Sequence, residues 1–403
     1  MLGWKRSRKV LLCVTGGIAA YKIPELVSRL RKLACEVETV MTKTAETLVS
    51  PLTLSTLSGR RTWLQDDFFA SSRGFEIPHI RLADWAEVVV VAPCSANTAS
   101  GAAHGRAASI VEAALLATRA PVVLFPAMNV HMFEHPATRQ NLRVLADRGV
   151  RVVDPEFGSL ACGYEGKGRL PETDLILEEI AFALSPKRDL AGKHVLVTAG
   201  PTQEYLDPVR FISNPSSGKM GLAMARTAWY RGAEVRVILG PVPAGNTHGL
   251  EIHNVVSALE MRDAVMRHLD WADYIVKAAA VGDYRAKDRA GHKIKREKQA
   301  ELTLELTRNP DIAAEAGAAK RAGQFLIGFA AETDSVAENA RAKMERKGLD
   351  VILANDVSAP GIGFGSDSNA VRMISRESES AISGSKEEVA DAVWENLLAG
   401  GAQ

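Results

Sequence analysis

Short runs of Val, Ile and Leu recur along this chain, separated by amphipathic stretches. The first series is KVLLCVT, EVETVMT, AEVVVVAP and PVVLFPA, with IPELVSRLRKLA and SIVEAALLATRA between its members. A second series opens at KHVLVTAG and continues through AEVRVILG, ADYIVKAAA, QFLIGFAAE and LDVILANDV. Near-continuous apolar runs suit parallel strands buried on both faces, and the helical period between them suits the helices that cover such a sheet. The pattern predicts an α/β protein built of two doubly wound, Rossmann-like domains. After LILEEIAFAL the periodicity breaks in LSPKRDLAGK, at 184–193, where Pro, Gly and charge intervene. This places the first domain at 1–189 and the second at 190–403.

Composition narrows the class. A chain of 403 residues exceeds one typical core, and 46% hydrophobic content is ordinary for a soluble protein. Forty-nine Lys and Arg against forty-eight Asp and Glu leave a formal charge of +1, which argues against general nucleic-acid binding. Cys13, Cys35, Cys94 and Cys162 form no Cys-x-x-Cys pair, so neither a zinc site nor a disulfide scaffold is expected, and reducing cytoplasm is the expected compartment. The opening MLGWKRSRKVLLCVTGG mimics a secretion signal, but VLLCV is shorter than the apolar core of one. A first strand entering a glycine turn is expected instead, with no membrane span anywhere.

Several segments at the predicted carboxyl ends of strands carry chemistry. VTGGIAAYK, at 14–22, offers either a tight turn or a cradle of amides for a phosphate. In APCSANTASGAAHG, Ser95, Asn97 and Thr98 can bond a ligand or cap the next helix, and capping is the default. His79 precedes a strand in IPHIRLADWAE, Asn129 follows one in PAMNVHMFEHP, and Cys162 lies among four glycines in GSLACGYEGKGR, a mobile setting unusual for a structural cysteine. RFISNPSSGKMG, at 210–221, is no Walker loop: Ser213 stands in place of the first Gly and Met220 in place of the hydroxyl residue. It can still open a helix whose free amides and one Lys face an anion.

Together GGIAAYK, PHI, PAMN and LACGYEGKGR resemble the flavin-dependent cysteine decarboxylases, specifically those acting on phosphopantothenoylcysteine, across nearly all of 9–170. The resemblance implies an FMN held by Gly16, Gly17, Ile18 and Ala19 and by Ser95, Asn97 and Thr98. It implies His79 as the base of an initial oxidation, Asn129 as the group holding the substrate carboxylate, and Cys162 as the proton donor that closes the reaction. Flavin provides the electron sink that a carboxylate beside an unactivated carbon lacks. Phe133 departs from the Trp common at that place, and GAAHGRAAS is also atypical.

The second half, from TAGPTQEYLDPVRFISNPSSGKMG through KAAAVGDYR, KIKR, NPDI, GFAAET, KGLDVILANDV and GFGSDSN, resembles phosphopantothenate–cysteine ligases over nearly all of 190–375. A chain carrying both resembles the bacterial bifunctional enzymes of coenzyme A biosynthesis. The ligase resemblance implies CTP as co-substrate, contacts from Ala279, Asp283, Lys293, Asn309, Pro310, Asp311, Ile312, Phe329, Lys343 and Lys347, and Mg2+ held at Asp283. Asn214 is implied in converting the acyl-cytidylate, with Arg210 beside it on a phosphate or carboxylate. Of the basic residues at 284–298, namely Arg285, Lys287, Arg289, Lys293, Lys295, Arg296 and Lys298, most read as an exposed charged loop. The implied partners are 4'-phosphopantothenate, cysteine and CTP, with neither nucleic acid nor membrane, in a homo-oligomer of decarboxylase trimers and ligase dimers.

Three other readings compete. A nicotinamide oxidoreductase fits the strand pattern but lacks Gly-x-Gly-x-x-Gly after either leading strand. A flavin prenyltransferase would not require the cysteine segment. A non-catalytic flavoprotein regulatory subunit would not require His79, Asn129 and Cys162 together.

Overall fold

The computed structural model describes residues 7–69, 76–185, 187–243, 245, 247–295, 302–332, 336–356 and 366–399. The chain divides into two compact units, with the change at Pro186–Lys187.

In the first unit five parallel strands lie in the spatial order Glu36–Met41, Lys9–Val14, Val88–Cys94, Val122–Pro126 and Arg151–Val152. The three central runs are almost wholly buried, which is why the sequence shows unbroken Val and Leu there rather than alternation. Helices Ile23–Lys32, Ile110–Ala117, Pro136–Asp147 and Thr173–Leu184 cover the sheet. Chain order reverses direction between Lys9–Val14 and Val88–Cys94, and ligands of doubly wound sheets bind at such a switch point. The segment around Cys162 is the turn of an antiparallel hairpin, Glu156–Ser159 with Glu165–Arg169. The mobile glycine-rich loop expected from sequence is thus an ordered element, because two of its glycines permit close approach. A Cβ on Gly168 would meet the Met128 carbonyl oxygen at 2.1 Å, and one on Gly166 would meet Val130 Cγ2 at 2.7 Å.

One charged group is built into this core. Glu38 is 2% exposed and accepts both guanidinium arms of Arg81, at 2.6 and 2.8 Å, together with Arg60 at 3.1 Å and the Trp63 indole N–H at 3.0 Å. Burial pushes its pKa up, but the bonds to Arg81 and Trp63 and the two guanidinium charges more than offset this and hold it below the usual carboxylate range. Arg81 belongs to the helix Pro78–Trp85 that also carries His79, so the ion pair anchors that helix to the sheet. Removing Arg81 strands a buried anion, whereas Glu38→Gln leaves two partly exposed guanidiniums that water can solvate. Arg81→Ala is therefore expected to cost about 3 kcal/mol of first-unit stability, and Glu38→Gln distinctly less, as read from urea unfolding near neutral pH. The Glu38 contribution is present above the ordinary glutamate pKa and is lost as pH falls through its lower folded value.

The second unit holds an eight-stranded sheet in the order Glu251–Asn254, Glu234–Leu239, His194–Ala199, Tyr274–Lys277, Phe325–Glu332, Val351–Asp356, Ser368–Ser375 and Glu379–Ser385. The first six are parallel in the dinucleotide-fold order 3-2-1-4-5-6, and the last two are antiparallel. Its switch point lies between His194–Ala199 and Tyr274–Lys277. Helix Lys219–Tyr230 starts there, close enough to the strand that a Cβ on Gly221 would meet Ala199 Cβ at 2.6 Å. Helices Ala258–His268, Ile312–Ala319 and Val336–Lys347 add to the layers, and Met261, Ile312, Ala316 and Met344 pack with Ile275 and Leu326 into one core. Two small hairpins, Gln203–Tyr205 with Phe211–Ser213 and Tyr284–Ala286 with Leu306–Arg308, stand outside the sheet. Neither the hairpins nor the antiparallel edge is expected from the apolar pattern. No helix among the described residues is long and apolar enough to cross a membrane.

Candidate functional site

In the first unit, strand Lys9–Val14 runs through Thr15 into Gly16 and Gly17 and then into a short helical turn, Ile18–Lys22, continuous with helix Ile23–Lys32. The amides opening a helix lack intrahelical acceptors. Gly16 sits against Thr44, where a Cβ would approach Thr44 Cβ to 2.6 Å, so this bend has room only for glycine. Thr15 Oγ1 donates to the Pro93 carbonyl at 2.7 Å and accepts from the Ser95 amide at 2.9 Å, which ties the two strand ends at the switch point together. Ser95 Oγ caps helix Ala96–Ala103 by accepting from the Thr98 amide, and the Thr98 hydroxyl, buried, lies 3.2 Å from it. Ser95 is therefore the helix cap and Thr98 the residue whose amide it accepts, while Asn97 is exposed with a 3.5 Å contact from Arg106.

The sequence motifs around Asn129 and Cys162 meet in space. Ala127 N donates to Cys94 O and Met128 N to Gly168 O, which suspends the Pro-Ala-Met-Asn segment between the sheet and the hairpin. Asn129 caps helix Val130–Glu134, its Oδ1 accepting from His131 N at 2.9 Å, and its Nδ2 donates to Cys162 Sγ at 3.2 Å. That bond, together with backbone amides at Tyr164 and Cys162, holds the exposed thiol below its ordinary pKa. Cys13, Cys35 and Cys94 are buried, and desolvation pushes the first two up to about 12. His79 packs edge-on against Phe68, 5.2 Å between centroids, and its buried Nδ1 has no partner among the described residues. Phe133 fills the core and stacks under the Arg139 guanidinium at 4.9 Å.

In the second unit the switch point opens into a cavity of about 810 Å³, a volume suited to a nucleotide. Its lining includes Asn214, Ala279, Asp283, Asn309, Pro310, Asp311, Ile312, Phe329, Lys343 and Lys347, residues drawn from five separate stretches of sequence. The helix starting at Lys219 presents its first amides here. Gly218, at φ 70°, is its left-handed cap and has no side chain of its own to bond them. The 210–221 stretch thus runs into the first turn of a helix on the cavity wall and forms no Walker loop. Asn214 Nδ2 donates to Val281 O at 3.1 Å, and Asn309 Nδ2 donates to Gly282 O at 2.7 Å. Asp311 caps helix Ile312–Ala319 and pairs with Lys347 at 2.9 Å. Burial raises the Asp311 pKa, yet Lys347 and the helix amides outweigh it and hold the carboxyl low.

Arg210 and Lys293 are outside this lining. Arg210 and Ile294, the residue after Lys293, meet instead at Asp207, whose role the sequence did not signal. Asp207 is fully buried and accepts from the amides of Val209, Arg210 and Ile294 at 2.7, 2.8 and 3.1 Å and from the Arg210 side chain at 3.4 Å. Three further residues of the cavity wall were assigned no role from sequence: Lys277, which opens KAAAVGDYR, Asn355, which lies in KGLDVILANDV and has a buried carboxamide oxygen lacking a partner among the described residues, and the mostly buried Lys386. Arg296 and Lys298 lie outside the described residues. No cluster of three or more His, Cys, Asp or Glu among the described residues could hold a metal by itself.

The Flavoprotein family model matches residues 3–185, and that of the DNA/pantothenate metabolism flavoprotein C-terminal domain matches 190–400. The coenzyme A biosynthesis bifunctional protein CoaBC of Bacillus subtilis is 46% identical over 374 residues, covering 92% of this chain and 91% of that one. Its Escherichia coli counterpart is 42% identical over 378 residues, 93% of each chain. Similar solved structures include the C-terminal domain of a coenzyme A biosynthesis bifunctional protein, 38% identical over 53% of this chain and 97% of that one, TM-score 0.44. The FMN-binding protein AtHal3 is 31% identical over 43% of this chain and 95% of that one, TM-score 0.39. With family models on both halves and such relatives along nearly its whole length, the chain belongs to the bifunctional proteins of coenzyme A biosynthesis.

Proposed function

We propose that the second unit joins 4'-phosphopantothenate to cysteine through an acyl-cytidylate, and that the first unit decarboxylates the product, 4'-phosphopantothenoylcysteine, to 4'-phosphopantetheine with FMN. The observation that carries this reading is the convergence of five sequence segments on one cavity at the second unit's switch point.

There the carboxylate attacks the α-phosphate of CTP and pyrophosphate leaves; the cysteine amine then displaces CMP to form the amide. The amides of the Lys219 helix, with Lys343 and Lys347, would hold the phosphates, and Asn214 would donate to the oxyanion of the second step. Of the two acidic residues assigned to this site Asp311 is engaged by Lys347, which leaves Asp283 for a Mg2+ held mainly by the phosphates and water. Arg210 and Lys293, fixed near each other through Asp207, would close over the phosphates from the hairpin side.

In the first unit the bend at Gly16 and Gly17, whose own amide turns back to the Thr15 carbonyl at 2.8 Å, the amides of Ile18 and Ala19 and the switch-point tie through Ser95 fit an FMN phosphate, with Asn97 and Thr98 shaping the same wall. Bound flavin supplies a reversible two-electron acceptor for the cysteinyl carbon. His79, with its unpartnered Nδ1, would take a proton from the substrate, Asn129 would hold its carboxylate, and Cys162 would return a proton after CO2 leaves. Exposed Ile18, Tyr21, Ile77 and Ile80 near the turn and helix of this site, and Val209, Phe211, Ile212 and Tyr284 on the hairpins, support homo-oligomeric association through each unit. Trimers of the first and dimers of the second are the proposed forms, in the cytoplasm.

The purified protein is expected to be yellow and to convert 4'-phosphopantothenate, cysteine and CTP into 4'-phosphopantetheine, CMP, pyrophosphate and CO2, followed by mass spectrometry. A flavin-loaded protein that stops at 4'-phosphopantothenoylcysteine would remove the first assignment, and absence of CMP would remove the second.

A further inference from the structure

We propose that Lys277 is a ligand-binding residue of the second unit's cavity, its amine completed by an oxygen of the bound cytidine nucleotide. The inference rests on the nucleotide reading of that cavity and gives a role to a residue to which the resemblance assigned none.

Lys277 closes strand Tyr274–Lys277, between Thr198 and Gly328 on the neighbouring strands. It lies two residues from Ile275 and so on the same sheet face, the one covered by Ile312, Ala316 and Met344. Only 8% of it is exposed, its Nζ is buried, and that nitrogen has no hydrogen-bond partner among the described residues, although the residue lines the cavity. The nearest acid, Asp311, is already engaged by Lys347 at 2.9 Å and by the Ala314 amide.

A lysine serving only the fold would bury its stem and bring its amine to a carbonyl or to water. A methionine of similar length would fill the same space without desolvating a cation. What remains for an amine at this position is an acceptor that arrives with the ligand. Burial pushes the pKa of Lys277 down to about 7, with Asp311 acting against the shift and Lys347 adding to it. Lys343, Arg308 and Asp283 also line the cavity, as do Lys219 and Lys386, whereas the strand neighbours Thr198 and Gly328 carry no charge. An anionic or carbonyl oxygen placed on the amine favours its charged form, so nucleotide binding above neutral pH draws a proton from solution.

Calorimetric titration of CTP into the full-length protein, repeated in buffers of different ionisation enthalpy, measures that proton. From a free pKa of about 7, uptake at about pH 8 is expected to approach one proton per nucleotide and to vanish below about pH 6, where the amine is already charged. Lys277→Met should bind CTP more weakly without this uptake, and Lys277→Arg should bind without proton linkage. Parallel titrations with CMP and with inorganic pyrophosphate tell a nucleoside or α-phosphate oxygen from the outer phosphates as the acceptor. Tight CTP binding by the wild type with no pH-dependent uptake, or equal uptake in wild type and Lys277→Met, would overturn the assignment. Should Lys277→Met fail to fold, the wild-type pH profile decides alone. No CTP binding at all by the wild type would instead overturn the nucleotide reading of the cavity.

Discussion

Replacing Cys162 by serine is expected to lower formation of 4'-phosphopantetheine by about 10²–10⁴, the usual worth of a positioned general acid, while CTP-dependent ligation continues at its normal rate. The four thiols are not equivalent. Cys13, Cys35 and Cys94 are sealed in the core, whereas Cys162 is exposed on a hairpin turn and receives the Asn129 amide at 3.2 Å. That donation makes the thiol a stronger acid than an ordinary cysteine, and a serine hydroxyl at the same point is a far weaker one. The protonated thiol is the active form in the proposed last step. Decarboxylation should therefore fall as pH rises through a thiol pKa lying below the usual value, and Asn129→Ala should move that alkaline limb upward. Mass spectrometry of the Cys162→Ser mixture should find 4'-phosphopantothenoylcysteine, or an oxidised decarboxylated product awaiting reduction, alongside undiminished CMP. Equal loss of both activities would refute the assignment of separate sites.

Asn214→Ala is expected to reduce ligation by about 10²–10³ and to leave acyl-cytidylate unconverted, with pyrophosphate still released. The magnitude separates a chemical role from a structural one. In the ligand-free geometry the Asn214 amide makes one bond, to the Val281 carbonyl at 3.1 Å, from an exposed position. Loss of one such bond costs about 1 kcal/mol, whereas loss of an oxyanion donor costs about 2.7–4 kcal/mol in the transition state. Decarboxylation of supplied 4'-phosphopantothenoylcysteine should be untouched, and the continued release of pyrophosphate controls for folding of the second unit. Normal turnover by the variant would take Asn214 out of the chemistry.

The strand runs and the α/β class were legible in the sequence, because a parallel sheet covered on both faces forces uninterrupted apolar runs into the chain. What escaped was paired through its edges or its turns. The hairpins at 203–213 and 284–308 are short, with exposed Phe211, Ile212 and Tyr284, so they lack the burial that writes a pattern into residue types. Ser368–Ser375 and Glu379–Ser385 add antiparallel strands at the sheet edge, where Arg372 and Glu379 are as acceptable as valine.

Asn129, Cys162, Asn214 and 309–312 were singled out through the family resemblances, since a motif is a property of neighbours in sequence. Tertiary structure alone decided which groups are buried and what they meet. A lysine closing an apolar strand reads as its solvated end, and only the packing of Ile312 and Met344 over the same face makes Lys277 a desolvated amine. An aspartate in a proline-containing turn reads as a surface residue, and only the return of the chain at Ile294 makes Asp207 the buried clamp for Arg210 and the Lys293 segment. Residue type states whether a group can be charged, but its surroundings, assembled from distant parts of the chain, set the free energy of that charge.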